Sequence, residues 1–530
     1  MPRFRAAALR GLLPGALLLL AGAAPARAQA PRSDEERTHL RFDAIRGQPP
    51  QLVAFLRRMP KGADLHSHLS GAVYAESYVA WAAEAGLCVN RRTLGLAPAP
   101  CDSAAGGVPA AQALRDGGLR GEMIDAWSMR NWHPARDNGH DQFFDSFGKF
   151  GAGGQGRTGD MLAEVTSRAA HGRVSYLELM LTPDGGGVAA LGAQAGWRED
   201  ESEEAQFRRL RERLLAAGLR DTLAAASRAL AAAEARRREL LRCGAPGTDP
   251  GCAVEVRYLY QVSRGRPPAN VFAQILAGFE MASTDPRVVG FNLVQPEDGL
   301  VSMRDYSLQM RMIGHLRRLY PRVRFSLHAG ELAPGLVPPE GLRSHVREAV
   351  EVAGASRIGH GVDVMHEDDA PGLLREMARR GVLVEIALTS NDVILGVKGA
   401  DHPLSAYMAA GVPVALATDD EGVSRSEMTM EYLRAAREQG LGYLELKTMA
   451  RNSLVHAFVE GESLWRAAGG FEPVPDCAAA AGGLEGRRCR ERVARSAKAR
   501  LQWELERAFA AFEREQAAAE PAGVPAPAPR

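Results

Sequence analysis

The stretch ADLHSHLSGAV (residues 63–73) is an apolar, strand-like run that ends in two histidines, His66 and His68. Successive side chains of a strand point to opposite faces, so these two imidazoles lie on the same face. Paired imidazoles at one place suggest a metal site. Taken alone, however, so short a motif favours ordinary surface or capping histidines. The rest of the chain has to decide between the two interpretations.

Seven further apolar, β-rich runs follow along the chain, with helical patterns between them. They are residues 174–181, 255–263, 288–295, 323–331, 357–364, 382–391 and 412–421. Near-continuous apolar strands that alternate with helices indicate a parallel sheet buried on both faces. Eight such units over about 360 residues predict an α/β fold, a (β/α)8 TIM barrel with N-terminal helical insertions and a C-terminal helical extension. No G-x-G-x-x-G follows the first strand, so nothing favours a dinucleotide site.

Polar residues gather at the carboxyl ends of these strands, where barrel enzymes carry their reactive groups. Besides the first histidine pair, they are His328 and Glu331 in LHAGE, His360 in RIGHG, and Asp419 and Asp420 in TDD. Three histidines and a carboxylate that converge at one rim predict a zinc-type site with room for a water molecule. Taken singly, His360 would favour a packed core histidine, and Asp420 could be a helix N-cap, a site residue or both.

The motifs H-x-H, H-A-G-E, I-G-H-G and T-D-D, in this order, resemble those of the adenosine deaminase family of the amidohydrolase superfamily. The resemblance covers roughly residues 58–465, and PKGADLHSH and GFNLVQPED are closer to the secreted deaminase-related growth factor branch. It implies one Zn²⁺ per chain, and its ligands would be His66, His68, His328 and Asp419.

The same resemblance implies the other roles. Glu331 would protonate the purine ring nitrogen, His360 would orient and deprotonate the metal-bound water, and Asp420 would hold the hydroxide and bond the imidazole side of the purine. The substrate-binding positions depart from the family pattern. Ser70 stands where the family often has Asp or Asn, Gln295 where it commonly has Gly, and Met180 where many relatives carry Arg. We therefore expect the reaction class to follow the family more closely than the substrate does.

Composition and the N-terminus bear on location. The 530 residues carry 65 basic and 64 acidic side chains, so no basic field points to a nucleic acid partner. Residues 1–28 have the pattern of a signal peptide, and no later stretch is apolar enough to span a membrane. A periplasmic or secreted protein is predicted. In such a protein the sequence-local cysteine pairs indicate disulfides, and the alternative is free buried thiols; the pairs are Cys88 with Cys101, Cys243 with Cys252, and Cys477 with Cys489.

The predicted organisation is a signal peptide (1–28), an N-terminal segment (29–57), the barrel (58–466) with insertions at 82–160 and 198–252, and a C-terminal extension (467–530) with a flexible Pro/Ala tail. The phenylalanines of HDQFFDSFGKF, in the first insertion, are explained equally well by core packing and by pocket lining.

The leading hypothesis is an exported zinc hydrolase that deaminates adenosine or a related 6-aminopurine nucleoside. Two alternatives stay open: a secreted binding or signalling protein on a deaminase scaffold, and an amidohydrolase for a different modified purine or other substrate. A purine nucleoside is the expected partner, and the sequence leaves a homodimer open.

Overall fold

The computed structural model of the chain describes residues 32–466 and 470–519. Within them, parallel strands form the staves of a barrel. They are β1 (Gly62–His68), β2 (Val174–Leu181), β3 (Glu255–Ser263), β4 (Val288–Val294), β5 (Ser326–Ala329), β6 (Arg357–His360), β7 (Leu383–Ile386) and β8 (Val414–Leu416). Each lies inside or nearly inside a predicted run, and the predicted (β/α)8 fold class is confirmed.

Two parallel half-barrels make up this sheet. One has the order β1–β2–β3–β4, and the other has β5–β6–β7–β8. A parallel bridge between Ser67 and Asp419 joins β1 to the end of β8. Between β4 and β5 the side-chain oxygen of Asn292 accepts a hydrogen bond from the backbone N–H of His328 at 2.8 Å. Closure of the barrel thus brings the first predicted metal ligands, His66 and His68, next to the last one, Asp419.

The helices surround the barrel and build its insertions. They are α1 (Asp34–Ile45), α2 (Pro49–Arg58), α3 (Leu69–Ala72), α4 (Ala75–Glu84), α5 (Gly117–Ala126), α6 (Gly139–Phe150), α7 (Thr158–His171), α8 (Gly187–Ala195), α9 (Glu203–Ala216), α10 (Leu219–Leu240), α11 (Pro268–Thr284), α12 (Leu300–Leu319), α13 (His345–Glu348), α14 (Ala370–Arg380), α15 (Leu388–Leu395), α16 (Leu404–Ala409), α17 (Glu421–Ser424), α18 (Met428–Glu438), α19 (Tyr443–His456), α20 (Arg487–Arg495) and α21 (Ala497–Ala518). No helix in the described ranges is long and apolar enough to cross a membrane.

The first insertion holds a small antiparallel sheet besides its helices. Its short strands are Cys88–Asn90, Leu96–Ala97 and Gly107–Pro109. Strands of two or three residues are too short for periodicity to reveal, so the sequence predicted only helices here. The disulfide between Cys88 and Cys101 closes this sheet.

The other predicted cysteine pairs are disulfides as well. Cys243–Cys252 lies in the connection after α10, and Cys477–Cys489 lies in the C-terminal extension. All three closed loops are short, so the bonds stabilise insertions and the extension, not the barrel. Disulfides persist in oxidising compartments, which is consistent with a protein outside the cytosol. The predicted signal peptide and most of the Pro/Ala tail lie outside the described residues.

The chain's two ends meet beside the barrel. Helix α1 packs against α21, and the ammonium group of Lys447 on α19 lies between two carboxylates, 2.6 Å from Glu35 and 2.5 Å from Glu513. The described parts of the two terminal segments, residues 32–57 and 470–519, therefore pack together. The boundaries assigned to these segments stay predictions.

Candidate metal and active site

Four donor atoms converge where strands β1, β5 and β8 end. The Nε2 atom of His328 lies 3.1 Å from Nε2 of His66 and 3.2 Å from Nε2 of His68. Oδ1 of Asp419 lies 3.4 Å and 3.2 Å from the same two nitrogens. All four side chains are buried. These are the four residues for which the sequence predicted metal binding.

The spacing of these donors fits a small tetrahedral ion. Zinc binds imidazole nitrogen at about 2.0–2.1 Å, and donors at the corners of such a tetrahedron are about 3.3 Å apart. The observed separations of 3.1–3.4 Å match that value. Oδ1 of Asp419 is also buried without a hydrogen-bond partner among the described residues, which is costly unless a cation binds there. The donor set therefore fits zinc.

Polar side chains from inside the strands orient the three imidazoles. Nδ1 of His66 lies 2.7 Å from Oε2 of Glu385. Nδ1 of His68 lies 2.8 Å from the amide nitrogen of Gln261, and Nδ1 of His328 lies 2.9 Å from Oδ1 of Asn292. The oxygens of Glu385 and Asn292 accept the Nδ1 protons of their histidines, which leaves a lone pair on Nε2 of His66 and of His328. The amide nitrogen of Gln261 instead donates to Nδ1 of His68. The sequence analysis missed these three residues. Their signal was a polar side chain within an otherwise apolar strand.

The electrostatics match the donor roles. Burial lowers the pKa of His328 well below its usual value, so this imidazole is neutral and offers a lone pair. Burial alone would raise the pKa of Asp419, but the neighbouring imidazoles of His66 and His68 more than offset this and hold the pKa well below its usual range, so this carboxyl is ionised. A neutral imidazole and an ionised carboxylate are the protonation states in which such groups bind a metal. Burial would lower the pKa of His66, but its contacts with Asp419 and Glu385 raise it to about 10, so this imidazole has to release a proton when a metal binds.

Glu331 lies in the same pocket, and its pKa is shifted in the opposite direction from that of Asp419. Its Oε1 is 3.6 Å from Nε2 of His360, and its backbone N–H donates to Oε2 of Glu297 at 2.9 Å. Burial, with the negative charges of Asp419 and Glu297, raises the pKa of Glu331 well above the usual range. The carboxyl is therefore protonated at neutral pH and can donate a proton.

A chain of hydrogen bonds fixes the tautomer of His360. The backbone N–H of Leu404 donates to Nδ1 of His402 at 3.2 Å, so the proton of neutral His402 is on Nε2, which donates to Oδ1 of Asn391 at 3.0 Å. The amide nitrogen of Asn391 then donates to Nδ1 of His360 at 3.0 Å. The proton of neutral His360 is therefore on Nε2, which has no other partner among the described residues.

Asp420 stands at the N-cap position of α17, but its side chain makes no capping hydrogen bond. Its Oδ1 is buried and unpaired within the described part of the chain. Gly71 makes room for it, because a Cβ at Gly71 would lie 1.5 Å from that oxygen. Asp420 therefore faces the pocket.

The pocket above the donors has a volume of about 380 Å³. Ser70, Gln295, Glu331 and Asp420 all line it, whereas His66 and His360 are not part of its wall. Three phenylalanines of the first insertion form its apolar side: Phe143, Phe144 and Phe147. Phe143 is also buried in the core, so both interpretations of this segment apply.

Gln295 has a special backbone conformation. Its φ is +84°, a left-handed value that glycine adopts without strain. Its side-chain oxygen accepts the backbone N–H of Gly265 at 2.9 Å, so only its amide N–H groups are free to meet a ligand. His360 and Asp419, with φ of +68° and +57°, share this conformation. Such residues cluster at functional sites because the surrounding structure holds them there.

Comparison with known proteins agrees with this geometry. The model of the adenosine deaminase family matches residues 224–466, which contain strands β3 to β8 but not the first histidine pair. An adenosine deaminase from Pectobacterium atrosepticum is 31% identical over 229 residues, 38% of this chain and 64% of that protein. One from Serratia proteamaculans is 38% identical over 138 residues, 26% of this chain and 38% of that protein. The chain thus matches less than two thirds of the length of these relatives.

Solved structures share the fold at low identity. Arabidopsis ADAL complexed with IMP is 18% identical, with a TM-score of 0.52 over 86% of this chain and 99% of that one. An amidohydrolase from Burkholderia ambifaria with bound zinc is 17% identical, with a TM-score of 0.50 over 88% of this chain and 95% of that one. The narrower resemblance to the growth factor branch stays a prediction. The family model and the relatives show that residues 224–466 are similar to adenosine deaminases, and the solved structures share the barrel fold.

Proposed function

We propose that this chain is an exported, zinc-dependent hydrolytic deaminase. It would convert adenosine, or a related 6-aminopurine nucleoside, and water into the 6-oxo nucleoside and ammonia. The observation that carries the proposal is the meeting of a zinc-sized donor set with the buried carboxyl of Glu331 in one pocket. The bound zinc of the Burkholderia amidohydrolase and the purine nucleotide bound to the plant protein support the ion and the substrate class.

His66, His68, His328 and Asp419 would hold the ion, which supplies Lewis acidity that makes water a nucleophile at neutral pH. Attack at the aromatic carbon pushes electrons onto the neighbouring ring nitrogen. Protonated Glu331 lies in the pocket wall and would donate a proton there. The fixed tautomer of His360 places an N–H on Nε2, 3.6 Å from Oε1 of Glu331, which favours orienting the nucleophile over deprotonating it.

Asp420 would accept hydrogen bonds from the water or from the imidazole side of the purine, because its Oδ1 has no partner in the described protein. The phenylalanines of α6 provide an apolar wall for a flat base. The three disulfides are consistent with export. None of the described helices is long and apolar enough to span a membrane.

The test uses the chain without residues 1–28. After loading with zinc, elemental analysis should find about one ion per chain, and adenosine should yield inosine and ammonia in equal amounts. His66→Ala and Asp419→Ala should lose zinc and turnover together. His366→Ala, at an exposed histidine away from the pocket, is the matched control and should lose neither. Normal zinc content in either ligand variant would refute the site. Bound zinc without turnover would favour the amidohydrolase alternative, and neither zinc nor turnover would favour the binding protein.

A further inference from the structure

A second cavity of about 280 Å³ adjoins the pocket above the donor atoms. The two cavities share Ser70 and Gln261 as wall residues. We call the second one the outer chamber. It is defined by Ser70, Met161, Met180, Thr182, Ala229 and Gln261.

Uncharged side chains line the outer chamber throughout. Its described wall residues include no Asp, Glu, Lys, Arg or His, and its polar groups are hydroxyls and one amide. The amide of Gln261 already has two neighbours: its nitrogen lies 2.8 Å from Nδ1 of His68, and its oxygen accepts from the hydroxyl of Thr182 at 3.4 Å. A charged group would find no counter-ion among these wall residues. An apolar group would gain from burial.

The chamber's position identifies the part of a substrate that reaches it. The proposed reacting groups, Glu331, Asp419 and Asp420, line only the inner pocket. The amino-bearing edge of the purine must lie against them, so the outer chamber receives the other end of the nucleoside, which is the sugar. Its outer wall comes from α10, in the second insertion.

On the basis of the proposed function, we propose that the outer chamber binds an uncharged, largely apolar substituent at the 5′ position of an adenosine-type substrate. The two methionine side chains of the wall suit such a group because their thioethers are polarisable and adapt to irregular shapes. A 5′-phosphate has no cationic partner in either cavity among the described residues. The preferred substrates are therefore 5′-substituted nucleosides and not nucleotides.

The test compares kcat/KM for adenosine, 5′-methylthio-5′-deoxyadenosine, 5′-butylthio-5′-deoxyadenosine and adenosine 5′-monophosphate. For the zinc-loaded wild type we expect the butylthio compound to exceed adenosine at least tenfold, with the methylthio compound between them, because each buried methylene adds to binding. The monophosphate should be the poorest of the four. A butylthio value at or below that of adenosine, or a preference for the monophosphate, would overturn the proposal.

A variant tests the chamber directly. Ala229→Phe fills it from α10, and we expect the ratio of butylthio to adenosine kcat/KM to fall at least tenfold. Ala231→Phe, on the exposed face of the same helix, is the matched control and should leave the ratio unaltered. Equal losses for both substrates in Ala229→Phe would refute the chamber. If that variant fails to fold, the wild-type series of chain lengths still decides. Failure of the wild type to deaminate any of the four would instead refute the proposed function.

Discussion

Replacing Glu385 by glutamine tests whether strand residues prepare the metal site. Glu385 is fully buried, with Oε2 2.7 Å from Nδ1 of His66 and Oε1 2.6 Å from Nε of Arg357. Burial raises the pKa of Glu385, but Arg357 and His66 more than offset it, and the group is ionised. Its two oxygens therefore lie against two different side chains, Oε2 against Nδ1 of His66 and Oε1 against the cationic guanidinium of Arg357.

An amide has one acceptor oxygen where a carboxylate has two. In Glu385→Gln, the NH₂ group must face either His66 or Arg357, donor against donor. Loss of such an outer partner lowers metal affinity by about 10- to 100-fold, which equals about 1.4–2.8 kcal/mol. We expect zinc affinity to fall within that range, as measured by competition with a chromophoric chelator.

Two further variants complete the experiment. Ser326→Ala removes a hydroxyl 2.9 Å from both oxygens of Glu385 without touching His66, so zinc affinity should stay within threefold of wild type. Glu385→Asp keeps the charge but retracts the oxygen from His66, and it should lose affinity as glutamine does. If Glu385→Gln folds normally and binds zinc within threefold of wild type, the orientation of His66 by this carboxylate is refuted.

Three other predictions follow from the buried titratable groups. Glu331→Gln should keep zinc and lose about 10²- to 10⁴-fold in kcat, and an activity within threefold of wild type would exclude it as the acid. Burial raises the pKa of Glu431 to about 7, from 4.5 in the unfolded chain. Between those pH values the unfolded chain binds fewer protons than the folded protein, so the free energy of unfolding falls as pH rises. In Glu431→Gln the decrease in the free energy of unfolding between pH 4.5 and 7.5 should be smaller by about 3 kcal/mol, as measured by denaturant unfolding at both pH values. His402→Ala should free Asn391 to rotate and lower kcat about two- to tenfold at unchanged zinc content, with altered ¹⁵N shifts of the His360 ring; unaltered shifts would contradict the hydrogen-bond chain.

The barrel could be predicted because each strand is an apolar run bounded by helical patterns. β2 (Val174–Leu181) and β3 (Glu255–Ser263) begin and end as predicted. The predicted ligands come together because parallel strands of a barrel all end at the same rim. The positions of the motifs along the sequence were therefore enough to predict which side chains lie close together.

Other parts depend on contacts between distant segments, which one sequence does not reveal. Glu385 and His66 are 319 positions apart, and only the closed barrel brings them within 2.7 Å. The pocket walls come from insertions whose docking depends on surface shape, not on periodicity. This is why Phe143 could not be assigned to core or pocket in advance, and why the outer chamber was not foreseen.

The metal site is prepared before any ion arrives. His66, His68 and His328 each have Nδ1 held by a strand residue, so their Nε2 atoms and a carboxylate oxygen of Asp419 all lie within 4.8 Å of one another. Without a cation between them these groups repel, and that repulsion becomes attraction when the ion binds. Zinc should therefore raise the melting temperature in proportion to its affinity, because ligand binding to the folded state stabilises that state by mass action. In the proposed deaminase the strands would determine how tightly the metal binds, and the insertions would determine which nucleoside reaches it, so the two properties could be altered independently.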